Sequence, residues 1–263
     1  MAENKTIQSI VIIGSGNLAS HLSQGFLTAD KTVKAIVSRN PIAGRLLATK
    51  AKAAYVAKVE DCPADADLIL LAVTDAAIED VANRMPETDA IVVHISGSTN
   101  IQAVRRFKNH GVFYPLQSFT KDKAVNFYEI PFLVEGNTPE NNALLTDLGH
   151  ALSTRVFSAT TTDRKYLHLA AVFASNFTNA LYEASKRILE NNTSLPFELL
   201  LPLIKETAVR LKDLDPVHAQ TGPAKRGEKH VISQQMELLK HQRELTQIYD
   251  LITNLIEQQQ RNA

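Results

Sequence analysis

The chain has 263 residues, 44% of them hydrophobic, so it is long enough to bury one large core or two smaller ones. Its 28 lysine and arginine residues balance its 28 aspartate and glutamate residues, which argues against a nucleic-acid-binding surface and favours a small-molecule partner. Because no stretch resembles a signal peptide or a membrane span, we expect a cytoplasmic protein that does not bind membranes. Cys62 is the only cysteine, which excludes a disulfide framework, and we interpret it as structural.

The first predicted strand, residues 10–13, is apolar and continues directly into the motif Gly14-Ser15-Gly16-Asn17-Leu18-Ala19. In a GxGxxA motif the first glycine permits a tight turn, the second lets a pyrophosphate approach the backbone, and the alanine keeps the next helix close to the sheet. The N-terminus of that helix favours negative charge. The motif predicts that residues 14–18 bind a dinucleotide, with an ordinary strand-to-helix turn as the alternative.

The second predicted strand, residues 33–37, ends at Ser38-Arg39-Asn40-Pro41, where NAD-specific domains carry an acidic residue. A hydroxyl and a guanidinium at this place favour a 2′-phosphate, which a carboxylate would repel. We therefore expect NADP(H) as the cofactor, bound in part by Ser38 and Arg39; a solvated loop arginine is the alternative. Asn40 before Pro41 is typical of a helix N-cap.

Further apolar runs, at residues 67–73 and 90–95, alternate with amphipathic stretches, as in parallel strands that helices cover on both faces. Shorter strand patterns continue to about residue 158 and bring the total to about eight, and Thr138-Pro139 indicates the start of an intervening helix. The pattern predicts an α/β fold, with a doubly wound Rossmann sheet over residues 1–158.

Beyond residue 158 only helical periodicity is found, which predicts an all-α domain over residues 159–263. Its helices are expected at about residues 162–190, 196–214 and 228–259. The first of them has an apolar stripe formed by Tyr166, Leu169, Phe173, Phe177, Leu181, Ala184 and Ile188. Because long apolar stripes in a small helical domain often pair with a second copy, we expect a homodimer formed through this domain.

Ligands of an open parallel sheet bind beyond the carboxyl ends of its strands, so the residues that follow each strand are candidates for a site. After the fourth strand, Val73 and Thr74 are predicted to line the dinucleotide, while Asp75 is expected to cap the next helix. After the fifth, Ser96 is predicted to lie at the nicotinamide end and to take part in catalysis. The loop at residues 114–119 follows the sixth strand and is predicted to be functional. Turn chemistry alone is the alternative for each.

The first helix of the second domain has a polar face beside its apolar stripe, formed by His168, Val172, Ser175, Asn176 and Asn179. We expect His168 to give or take a proton during hydride transfer, because imidazole titrates near neutrality, and Asn176 to orient the substrate. A polar contact between helices is the alternative. Arg226, in a glycine-rich loop, is predicted to bind a substrate carboxylate, or else to be solvated. The histidines lack metal-ligand spacing, so we predict no metal site.

These motifs resemble a known group of proteins. The N-terminal part is similar to the Rossmann-like domains of NADP oxidoreductases related to deazaflavin-dependent NADP reductases and pyrroline-5-carboxylate reductases. The second half resembles the helical domain of unknown function that accompanies them, a relative of the C-terminal domain of 6-phosphogluconate dehydrogenases. The resemblance is carried by Gly14-Ser15-Gly16-Asn17-Leu18-Ala19, Ser38-Arg39, Pro115-Leu116-Gln117-Ser118-Phe119, His168, Ala171, Ser175-Asn176, Thr221-Gly222-Pro223 and Arg226-Gly227.

The chain departs from this group at three positions. Tyr114 stands where family members usually have histidine, and Glu228 where they usually have aspartate. Val172 occupies the position of the lysine found in β-hydroxyacid dehydrogenases, which leaves His168 as the available acid–base residue. The resemblance implies an NADP(H)-dependent oxidoreductase that transfers hydride to or from a small carbonyl or imine, in a cleft between the two domains. The alternative is a sensor or interaction protein that binds NADPH without chemistry.

Overall fold

A computed structural model of the chain describes residues 6–120, 123 and 125–261. The chain forms two compact units, Met1–Val172 and Phe173–Ala263. The division lies later than the boundary predicted at residue 158. The helix at Thr161–Ala171 belongs to the first unit because Arg164, in its first turn, is fully buried there and bonds to Ser96 and Glu135 of that unit.

The first unit is built on one sheet of eight strands. Their bounds are β1 Ser9–Ile13, β2 Thr32–Val37, β3 Ala54–Val56, β4 Leu68–Leu71, β5 Ile91–His94, β6 His110–Pro115, β7 Phe132–Gly136 and β8 Val156–Ser158. Their order is β3-β2-β1-β4-β5-β6-β7-β8. The strands β1 to β6 are parallel, β7 is antiparallel to β6, and β8 is parallel to β7. The direction of winding changes between β1 and β4, where ligands of such sheets bind. The predicted Rossmann sheet is confirmed.

Helices cover both faces of this sheet. Their bounds are α1 Asn17–Thr28, α2 Pro41–Lys50, α3 Ile78–Arg84, α4 Pro139–His150 and α5 Thr161–Ala171. Phe26 of α1, Leu47 of α2 and Leu145 of α4 belong to the core on one face, and Ile78 of α3 belongs to the core on the other. The continuous apolar runs of β4 and β5 are buried on both sides, as their sequences predict.

Two helix starts are as predicted. The side chain of Asn40 accepts hydrogen bonds from the backbone N–H groups of Ile42 and Ala43, at the start of α2. The Thr138 hydroxyl accepts one from the Asn141 N–H at the start of α4. In both cases a proline occupies the first turn, where its missing N–H costs nothing.

The second unit is helical. Its helices are α6 Thr178–Asn192, α7 Leu201–Val209, α8 Pro216–Ala219, α9 Pro223–Arg226, α10 Lys229–Leu238 and α11 Arg243–Arg261. The third predicted helix is therefore broken at residues 239–242. The predicted loop around Arg226 contains the single turn α9, between Gly222 and Gly227, whose φ angles of 102° and 66° favour glycine.

A π-helical segment, Val172–Phe177, precedes α6 and interrupts the α-helix predicted for residues 162–190. A π-helix has i→i+5 hydrogen bonds, so the angular spacing of side chains differs from that of an α-helix. The single polar face predicted from His168 to Asn179 assumed an uninterrupted α-helix, and that assumption is wrong. Among the described residues, no helix is both long and apolar enough to cross a membrane.

Candidate functional site

The turn after β1 can only be made by glycine at position 14. Gly14 has φ = 125°, and a Cβ atom built there would lie 2.1 Å from the Ala72 carbonyl oxygen. Its N–H donates a 2.8 Å hydrogen bond to the Val37 carbonyl oxygen, which ties the turn to the end of β2. Gly14 therefore fixes the path of the backbone where the winding of the sheet changes direction.

Gly16 has a different function in the same turn. Among the residues that the structure describes, none would lie within 4 Å of a Cβ atom there, and no side chain caps α1, which follows Gly16. Within that part of the chain the N-terminus of α1 has no neighbour that offsets its helix dipole, which is an environment that favours a phosphate group. The residues of this turn thus fit the diphosphate of a dinucleotide.

The other side chains of the predicted phosphate motif have partners within the protein. The Asn17 amide donates to the Phe119 carbonyl oxygen at 3.3 Å, and Leu18 packs against the core. The Ser15 hydroxyl lies 2.8 Å from the Ser38 hydroxyl. These residues therefore offer mainly backbone N–H groups to a ligand.

The end of β2 presents one exposed charge. The Ser38 side chain is buried, and its hydroxyl bonds to Ser15 and to the Asn40 carbonyl oxygen. Arg39 is exposed and forms no salt bridge among the described residues. Of the two residues predicted to bind a 2′-phosphate, Arg39 is the one whose side chain is free for that contact.

Of the residues that follow β4, Asp75 makes a contact that the sequence did not predict. Val73 is half-buried against the core and Thr74 is exposed, so both can line a ligand. The sequence predicted that the Asp75 carboxylate caps the following helical turn, and this prediction is wrong. The carboxylate accepts a 2.6 Å hydrogen bond from the Ser98 hydroxyl, which follows β5 and offers a better-placed donor.

The loop after β5 is shaped by Ser96. Its buried hydroxyl accepts hydrogen bonds from the N–H groups of Ser98 at 3.1 Å and Thr99 at 2.9 Å. Gly97 is also confined, since a Cβ atom there would lie 2.7 Å from Tyr114 Cζ and 2.8 Å from His168 Nδ1. The side chains of Tyr114 and His168 therefore lie against the backbone of this loop, at the carboxyl end of β5.

Tyr114 and His168 form a pair beside this loop. The Tyr114 Oη and His168 Nδ1 atoms are 3.0 Å apart, and the two rings meet edge to face at 69°. Both side chains are half-buried. Burial raises the pKa of the Tyr114 phenol, and the nearby Asp75 carboxylate raises it further, while Arg164 acts in the opposite direction. The sequence predicted roles for His168 and for the loop at residues 114–119, which begins with Tyr114, but it did not predict the contact between these two side chains.

Arg164 binds the backbone of the same loop. This contact was not predicted from the sequence. The fully buried guanidinium donates to the carbonyl oxygens of Ser96 and Thr99, to the Thr161 hydroxyl, and to the Glu135 carboxylate at 2.7 Å. An arginine in a predicted helix is usually solvated, so the burial of Arg164 could not be predicted from its local sequence.

His94 lies in the interior next to this loop. Its Nδ1 atom accepts a hydrogen bond from the Ser96 N–H. Burial and, to a smaller extent, the Arg164 charge lower the pKa of His94 to about 4, so the imidazole is neutral at physiological pH.

Two predicted site residues lie in the second unit. Asn176 is exposed within the π-helical segment. Arg226 is exposed and binds the Glu228 carboxylate through two hydrogen bonds, Nε to Oε1 at 2.8 Å and Nη2 to Oε2 at 2.9 Å. These bonds raise the pKa of Arg226 and lower that of Glu228. The side chain can therefore bind a carboxylate in the predicted bidentate manner, but here it binds its own neighbour.

Other chemistry has little support in the described part of the chain. Cys62 is buried, and burial raises the pKa of its thiol to about 12, so it is not a reactive thiolate. Among residues 6–120, 123 and 125–261, no group of three or more His, Cys, Asp or Glu side chains could hold a metal ion.

Two family models match the chain. Residues 9–98 match the family described as NADP oxidoreductase, coenzyme F420-dependent, and residues 130–256 match a domain of unknown function, DUF2520. A search of curated protein sequences returned no significant match.

Solved structures resemble nearly the whole chain. A crystal structure from Bacteroides fragilis, described as a "putative NADP oxidoreductase", is 35% identical, with a TM-score of 0.87 over 96% of this chain and 98% of that one. A protein from Thermotoga maritima is 26% identical, with a TM-score of 0.76 over 96% and 98%. At 17% identity, a pyrroline-5-carboxylate reductase from Streptococcus pyogenes shares the fold, with a TM-score of 0.65 over 95% and 98%. The chain therefore belongs to a family of NADP oxidoreductases that join a Rossmann-like nucleotide domain to the DUF2520 helical domain.

Proposed function

We propose that this oxidoreductase transfers hydride between NADP(H) and a small carbonyl or imine substrate that carries a carboxylate. The observation that carries the proposal is the position of the His168 imidazole against Gly97. Gly97 follows β5 and the Gly14 turn follows β1, so a titratable group and a phosphate-binding turn lie at the same edge of the parallel sheet.

The cofactor would be held by groups that the structure leaves accessible. The backbone of the turn at Gly14 and Gly16 and the N-terminus of α1 suit the diphosphate, and Arg39 suits the 2′-phosphate. Val73, Thr74 and the loop at Ser96 would line the rest of the nucleotide. When bound, NADPH supplies the hydride.

His168 would supply the proton. As the hydride forms a C–H bond at the substrate carbon, the π electrons of the C=O or C=N bond move to the oxygen or nitrogen. That atom then takes a proton from the His168 imidazolium, which becomes a neutral imidazole. In the reverse direction the neutral imidazole accepts the same proton. The substrate-binding roles of Asn176 and Arg226, and a cytoplasmic location, stay predictions from the sequence.

His168→Ala is expected to lower turnover by roughly 10²- to 10⁴-fold, which is the usual contribution of a general acid, without changing the Kd for NADPH. Turnover is measured as loss of NADPH absorbance with a panel of 2-oxo acids and cyclic imines. The matched control is His150→Ala, which removes an exposed imidazole from α4. Normal turnover by His168→Ala would contradict the role of His168. Tight NADPH binding by the wild-type protein without turnover across the panel would favour a sensor.

We further propose that the second unit forms a homodimer. Among its described residues only Ala224 and Leu239 are buried, although the unit is rich in large apolar side chains. The exposed ones include Phe173, Phe177, Leu195, Leu199, Leu203, Leu211, Leu251 and Leu255. A unit that buries so little by itself needs another surface to complete its core, and a second copy is the usual one.

Sedimentation at micromolar concentration is expected to show a dimer. Leu255→Glu, which places a charge on the apolar face of α11, is expected to shift the population towards monomer. The matched control is Gln259→Glu, at an exposed polar position of the same helix. A wild-type monomer at these concentrations would contradict the proposal.

A further inference from the structure

The Tyr114–His168 pair has a defined geometry. Tyr114 is held in β6, where it pairs with Leu133 of β7, and His168 is held in α5. The 3.0 Å contact between Tyr114 Oη and His168 Nδ1 is the one hydrogen bond that either side chain group makes among the described residues. The rings are thus positioned by two separate elements of the first unit and are joined at one ring nitrogen.

This bond determines which imidazole nitrogen is left for chemistry. In a neutral imidazole one nitrogen carries the proton and the other carries a lone pair. If Nδ1–H donates to the phenol oxygen, Nε2 carries the lone pair and can accept a proton. If the phenol instead donates to Nδ1, Nε2 carries the proton in the neutral ring and cannot act as a base.

The chemistry of the phenol favours the first arrangement during the reaction. In the imidazolium both nitrogens carry protons, so the phenol oxygen must be the acceptor at Nδ1. Loss of the Nε2 proton to substrate then leaves the Nδ1–H bond in place, and no rearrangement of the pair is needed. The raised pKa of Tyr114 keeps the phenol neutral, so it orients the ring without adding a negative charge.

We propose that Tyr114 is a positioning residue for His168. Its phenol oxygen accepts the Nδ1 proton, which fixes the tautomer and leaves Nε2 as the nitrogen that exchanges a proton with the substrate. The catalytic consequence rests on the proposed function, because His168 acts as the acid–base residue there. Measuring the tautomer needs no substrate, so the NMR test below does not depend on turnover.

The first test measures the tautomer by nitrogen-15 NMR of the eight histidine side chains, above the pH at which they are protonated. The His168 signals are assigned by their loss in His168→Gln. In the wild-type protein we expect a protonated Nδ1 and an unprotonated Nε2. In Tyr114→Phe we expect the Nε2–H tautomer that imidazole prefers in water. A wild-type Nε2–H tautomer, or identical His168 shifts in Tyr114→Phe, would overturn the proposal. Tyr128→Phe removes an exposed phenol and serves as the control.

The second test separates positioning from a purely structural contact. Tyr114→Phe is expected to lower kcat by roughly 10- to 100-fold, with KM and the Kd for NADPH unchanged, because ring orientation matters in the proton-transfer step. Gly97→Ala is also expected to lower kcat, since its Cβ would push against Tyr114 and His168. Unchanged kcat in Tyr114→Phe would overturn the positioning role. If no substrate of the panel is turned over, the proposed function fails, while the NMR result still decides the tautomer.

Discussion

Replacing Gly14 with alanine is expected to destabilise the first unit and to abolish measurable NADPH binding. The new Cβ would lie 2.1 Å from the Ala72 carbonyl oxygen, and backbone atoms of adjacent strands cannot move apart cheaply. The φ angle of 125° adds strain for any residue with a side chain. Together the clash and the strain should cost about 2–6 kcal/mol of unfolding free energy. Thermal unfolding and an NADPH titration measure the two effects.

The reason for the loss of binding is geometric. The only ways to relieve the clash are to open the turn or to move the end of β4, next to Ala72, away from β1. Either change displaces the backbone N–H groups of the turn at Gly16. A Gly14→Ala protein with the wild-type melting temperature would show that the turn does not have this conformation.

The second large effect is expected for Arg164→Met. The substitution introduces an apolar side chain of similar length and removes the positive charge. It leaves the carbonyl oxygens of Ser96 and Thr99 without their donor, and the Glu135 carboxylate with the Thr161 hydroxyl alone. Removing one partner of a buried ion pair costs about 3–5 kcal/mol, and we expect the lower end because Glu135 retains 20% side-chain exposure. Urea or thermal unfolding measures this loss.

Two further variants show whether the cost arises from the buried charge. Arg164→Met combined with Glu135→Met should recover part of the lost stability, because no carboxylate is then left unpaired. Arg84→Met removes an exposed ion pair with Glu60 and should change the stability little, because solvent screens that pair. If Arg164→Met is no more destabilising than Arg84→Met, the buried network does not stabilise the loop after β5.

The sheet and the glycine turn after β1 could be predicted from sequence because their signals are local. Central parallel strands are buried on both faces, so β4 and β5 are recognisable as continuous apolar runs. The turn after β1 requires a glycine, which the sequence has at position 14. Helix N-caps favour residues such as Asn40 and Thr138, which are also recognisable in the sequence.

The missed features depend on contacts between residues distant in sequence. The local sequence around Arg164 is that of an ordinary helical arginine. Its burial depends on Glu135 and on the loop after β5, which are distant in sequence. The Tyr114–His168 pair joins residues 54 positions apart, so neither one identifies its partner. Asp75 stands at a typical cap position, but Ser98 binds its carboxylate instead.

The helical unit was predicted less well for a different reason. Helical periodicity indicates that a stretch is helical, but it does not locate a π-helical segment such as Val172–Phe177 or a short break between helices. It also cannot show whether an apolar stripe is covered. The exposure of that stripe in the structure is what now supports the homodimer.

The most direct test of the nucleotide site is a calorimetric titration of the wild-type protein and Gly16→Ala with NADPH and NADH. The wild-type protein should bind NADPH, and more tightly than NADH, because Arg39 is free to bind a 2′-phosphate. Gly16→Ala should unfold at the wild-type temperature, since its Cβ meets no atom of the described residues, yet bind NADPH at least tenfold more weakly. No heat with either nucleotide in the wild-type protein, or unchanged NADPH affinity in Gly16→Ala, would contradict a phosphate site at this turn.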